Sequence, residues 1–168
     1  MLVASGSVQL ERLLTLVHVV CAVIGFGGLA LHSLTVARLG RLDGAEAYAV
    51  ARADYARGRL AEKFLYVLPV AGVGAVWASD GRIGFGEAWL GIAAGVYVVA
   101  LGVLHGVLGP ARRRLLVLLG GLAGEPVSNE GPLRVELGAL GRRLSLGSAA
   151  LDLLLVAALV LMIWQPGG

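Results

Sequence analysis

His18 and His32 lie fourteen residues apart in one apolar run, Leu13 to Val36, of a 168-residue chain. Fourteen helical steps of about 100° return to within roughly 40° of the starting direction and rise about 21 Å, so both imidazoles are predicted to face one way at opposite depths of a membrane helix. Polar side chains at that depth usually have a task. A neutral imidazole can ligate haem iron, pass a proton near neutral pH, or bond a backbone carbonyl. His105 ends a later apolar run at about the depth of His32. Facing imidazoles on a bundle's helices are a familiar axial pair for b-type haem, so His32 and His105 are the geometric candidates for the iron. The plainer alternative is a pair of interfacial histidines bonded to backbone or lipid.

Two imidazoles at opposite depths on one helix face resemble the arrangement by which transmembrane b-type cytochromes hold two haems. Fourteen residues before His105, however, stands Gly91, which has no side chain to ligate with. At most one bis-histidine site is therefore expected. Met162 lies at the depth of His18 and offers a thioether, the donor set of a His/Met haem, although a lone methionine also serves as packing. His18 is otherwise a proton-handling, substrate-contacting or simply structural group. Asp152 sits about two turns into the last apolar run, where a bare carboxylate is costly. It is predicted to fix the tautomer of a ligating histidine, or else to pair with Arg142, Arg143 or Ser148. Tyr97 could hydrogen-bond a cofactor or belong to the core.

The elements that position these residues are helices. Hydrophobic residues make up 58% of the chain and charged residues only 15%, the composition of an integral membrane protein. Four stretches approach the 20 or so residues that cross about 30 Å of hydrocarbon, near residues 13–36, 60–78, 88–108 and 144–164. The fold expected is all-α, a single four-span membrane bundle. Pro69 interrupts the second span and must have its freed carbonyl covered by a neighbour. Residues 43–62 read as a solvated helix running into that span, and residues 115–122 as an interfacial helix before a glycine- and proline-rich link. Pairs such as Gly91 with Gly95 and Gly102 with Gly106 are predicted to let helices pack closely inside the bundle.

The net charge of +3 comes from thirteen arginines and one lysine, most of them in the first and third connections. The positive-inside rule makes those loops cytoplasmic and puts both termini outside, and Trp77, Trp89 and Trp164 then share the outer interface. No aromatic pattern suits nucleic acid. The single cysteine, Cys21, excludes an internal disulfide and a CxxC site. No cleavable leader is expected.

The stretch LVHVVCAVIGFGGL, Leu16 to Leu29, resembles the first-helix signature of a bacterial family of four-helix integral membrane proteins of unknown function. That family is distantly similar to the copper resistance protein D and HemJ-type protoporphyrinogen oxidase group. His18, the Gly27–Gly28 step and Arg38 match, while Gly25 stands where the group carries tryptophan. The resemblance implies a haem role for His18, electron transfer or membrane redox chemistry, and a multi-pass protein of the bacterial cytoplasmic membrane. Copper is disfavoured, because only Met1, Met162 and Cys21 offer soft donors. The competing expectation is a cofactor-free membrane subunit, assembly factor or small transporter. Expected partners are the lipid bilayer and either a redox partner, a larger complex or further copies of the chain.

Overall fold

The computed structural model describes residues 2–39, 42, 44–121 and 132–165, and among them it is helical with no strand. Six α-helices follow in order: α1 (Leu2–Ala30), α2 (His32–Leu39), α3 (Gly44–Ala78), α4 (Ala88–Val103), α5 (Gly109–Gly121) and α6 (Pro132–Trp164), with a π turn, Leu104–Leu108, joining α4 to α5. Four segments are long and apolar enough to cross a membrane: Ser7–Ala30, Gly44–Ala78, Ala88–Gly121 and Pro132–Trp164. This is the multi-pass, all-α bundle the composition requires.

Several boundaries differ from expectation. The first apolar run is not one straight helix, because it breaks at Leu31, where the backbone bonds Leu31 to Gly27 and Thr35 to Leu31 stretch to 3.4 and 3.3 Å. The Gly27–Gly28 pair just before supplies the soft point. α3 does run unbroken into the second span, yet its first half is not a solvated extension: Ala47, Ala51, Asp54 and Glu62 are buried. The segment after Leu108 is not a separate interfacial helix either. It continues the third span through the π turn and buries Leu115 and Leu119. Most of the glycine- and proline-rich link lies outside the described residues; Pro132 opens α6, a first-turn position that suits its missing N–H.

α1 packs along α3 and α4 along α6, while α2 and α5 close the arginine-rich end by packing on α3 and α6. Among the described residues α3 and α4 have no close backbone approach. Small residues make the tight contacts: a Cβ on Gly28 would stand 2.9 Å from that of Ala61, and one on Gly147 would stand 2.8 Å from Leu108. The expectation for the glycines of α4 and the π turn is reversed. Gly91, Gly95, Gly102 and Gly106 are exposed and meet nothing within 4 Å. Around the core of Leu29, Leu65, Leu104, Leu144 and Leu151 the free Cys21 is a buried packing residue.

Candidate functional site

The polar groups of the bundle lie at successive depths along α3. Pro69 has no N–H to give the carbonyl of Leu65 four residues earlier, and the hydroxyl of Tyr97 donates to that oxygen at 2.9 Å. One turn further, the carbonyl of Leu68 accepts from Nδ1 of His18 at 2.8 Å. Gly72 makes that approach feasible, since a Cβ there would come within 2.9 Å of the ring. His18, Tyr97, Phe26, Leu68 and Met162 line one apolar cavity of about 50 Å³. His18 and Met162 thus share a wall, and the remaining ring nitrogen of His18 has no hydrogen-bond partner among the described residues.

His32 also turns to α3. Its Nδ1 contacts the carboxylate of Asp54, whose other oxygen contacts Arg57, and Arg57 in turn donates to Thr35 at 3.2 Å. His32 and Asp54 are both buried, and Nε2 of His32 has no hydrogen-bond partner among the described residues. A carboxylate on Nδ1 fixes the ring's tautomer, the role expected of Asp152. Asp152 instead lies half-buried on α6 with no ion pair or side-chain hydrogen bond among the described residues.

His105 is in the π turn and meets Tyr66 of α3, not His32: the rings stack at 6.0 Å between centroids and 4° between planes, with Nε2 and the hydroxyl 2.9 Å apart. Single π turns are uncommon and concentrate at functional sites. Below this stack opens a cavity of about 160 Å³ lined by Tyr55, Arg59, Glu62, His105, Gly109, Pro110, Arg112 and Arg113. Residues 55, 59, 62 and 66 repeat at helical spacing along one face of α3, and 105, 109 and 112 do so across the seam. Arg112, only 4% exposed, donates through Nη2 to Glu62 at 2.7 Å, while its Nε has no partner among the described residues. Glu62 also receives Arg59 at 3.4 Å. Three arginines thus line the cavity with one carboxylate, which Arg59 and Arg112 both contact, and the lining carries two positive charges in excess.

Asp54, Gly58, Glu62, Tyr66 and Arg112 escaped the sequence reading, which assigned the first connection to solvent. The available signal was the polar stripe 55, 59, 62 and 66 beside a bare Gly58 on an otherwise alanine-rich helix.

A b-type haem fits the donor chemistry of the His18 cavity, which an imidazole and a thioether both line, but not its volume. About 50 Å³ is far below the roughly 300–1,000 Å³ of pockets that enclose drug-sized ligands. His32 and His105, engaged with Asp54 and Tyr66, are not brought together as an axial pair. No three His, Cys, Asp or Glu side chains cluster as a metal site among the described residues.

No protein-family model, no curated protein and no solved structure matches the chain.

Proposed function

We propose that this chain is a multi-pass membrane protein that works as a binding subunit, taking an anionic ligand in the cavity between α3 and α5. The observation that carries this reading is Arg112: a buried guanidinium held by Glu62, its Nε without a partner among the described residues, in a lining where Arg59 leans on the same carboxylate and Arg113 adds a third positive charge. Arg59 and Arg113 are exposed while Arg112 is buried, so an anion can reach the lining from solvent and satisfy planar, fork-shaped donors with charge-assisted hydrogen bonds. The test is thermal stability of the detergent-solubilised chain, titrated at constant ionic strength with inorganic phosphate and with a short-chain anionic lipid. Stabilisation that disappears in Arg59→Gln/Arg113→Gln supports the reading. If neither anion stabilises the protein, the reading falls.

A second reading, haem b on His18 with Met162 as the other donor and a redox role for the protein, rests on the shared cavity and on the backbone bond that orients His18. Its test is an absorption spectrum of protein purified from haem-replete cells. A Soret band that moves on reduction and is lost in His18→Ala would put this reading ahead.

A further inference from the structure

The cavity lies where a membrane would place charged headgroups. Arg59 stands eighteen residues before Trp77 on α3 and Arg112 twenty-three after Trp89 on the α4–α5 rod, about 27 and 35 Å along the helix axes. With Trp77 and Trp89 at one interface, the cavity falls at the other side of a hydrocarbon layer of about 30 Å. Tyr66 and His105 form the edge of the site towards the membrane, and both are exposed. A hydrogen-bonded pair facing lipid at that level is positioned for ester carbonyls, not for acyl chains. Beyond it the seam turns apolar and uncovered: Val70 is 71% exposed, Val73 57% and Val98 65%. Gly102 leaves the groove beside Val98 open, because nothing lies within 4 Å of where its Cβ would be.

We infer that the anion is the phosphate headgroup of an anionic phospholipid in the leaflet at the arginine-rich end. Its phosphate lies among Arg59, Arg112 and Arg113, its ester region at Tyr66 and His105, and its chains along the exposed valines of α3 and α4. This rests on the anion-binding reading above and deepens it. About 160 Å³ is below the roughly 300–1,000 Å³ of pockets that enclose drug-sized ligands, so the cavity takes a headgroup and the chains lie outside on the apolar seam. A free phosphate would satisfy the guanidiniums equally but would gain nothing from the valines. Basic pockets between spans on the positively charged side recur as phospholipid sites.

The experiment is a binding titration of the full chain in a neutral detergent with three probes: short-chain phosphatidylglycerol, short-chain phosphatidylcholine and inorganic phosphate. Phosphatidylglycerol is expected to bind at least tenfold more tightly than either other probe. Arg59→Gln/Arg113→Gln, two exposed arginines, should weaken it at least tenfold, whereas Arg142→Gln/Arg143→Gln, exposed arginines at the same end but outside the cavity, should change it less than twofold. Phosphate binding as tightly as phosphatidylglycerol would overturn the lipid assignment and leave the anion site standing. Binding of neither would overturn both. Equal losses in the two double variants would show attraction to the whole basic end and would overturn this site.

Discussion

The guanidinium of Arg112 lies directly over Gly58: a Cβ at position 58 would overlap Nη1 and stand 3.0 Å from Cζ. The bare position on α3 is therefore part of the cavity's construction. Gly58→Ala normally favours a helix by roughly 1 kcal/mol. Here it is expected to lower the melting temperature, because it displaces Arg112 from Glu62. Gly91→Ala, at a glycine that meets nothing, should leave stability unchanged or raise it. A Gly58→Ala variant as stable as the parent would show that Arg112 does not need this seat.

The buried pair itself makes a sharper case. Removing one partner strands the other charge, and the cost expected for Arg112→Met or Glu62→Gln alone is on the order of 3–5 kcal/mol. The double variant removes both charges and should recover much of that loss. Denaturation of the four proteins in one detergent closes the cycle; additive losses would mean that the two residues are not coupled.

Tyr97 and Pro69 offer a second cycle, nearer the tryptophan end. Tyr97→Phe leaves the Leu65 carbonyl without the donor that replaces the missing proline N–H, a loss of about 1–3 kcal/mol for a buried unsatisfied group. In a Pro69→Ala background the backbone N–H restored at position 69 can take over, and the same substitution should then cost little. Equal costs in both backgrounds would separate the tyrosine from the kink.

Much of the fold was legible because its determinants are local. Apolar length marked four spans, and Pro69 announced a carbonyl in need of cover. The spacing of His18 and His32 was informative as well: they turn to Leu68 and Asp54, residues themselves fourteen apart on antiparallel α3. Both rings thus lie against α3, a partner that their spacing on the first run does not name by itself. The site at the arginine-rich end was hidden for a tertiary reason. Arg112 and Glu62 are fifty residues apart, and the first connection looked like solvent because nothing local shows that α2 and α5 will cover it. The α4 glycines were misassigned on the same ground, since a small-residue stripe does not say which side of the helix has a neighbour.

For the His18 cavity, Gly72→Val is expected to push the His18 ring off Leu68, since even a Cβ there would stand 2.9 Å from it. Loss of stability together with an unchanged affinity for anions would show that the two cavities act separately. A parallel loss of anion binding would tie them together.

The most direct measurement compares the melting temperature of the full chain with and without saturating short-chain phosphatidylglycerol, alongside Arg59→Gln/Arg113→Gln. At about one hundred times the dissociation constant, a ligand that binds only the folded state adds about 2.7 kcal/mol, which for a chain of this size is a rise of roughly 5–10 °C. That rise is expected in the parent and not in the double variant. An equal rise in both proteins, or none in either, would contradict a phospholipid site between α3 and α5.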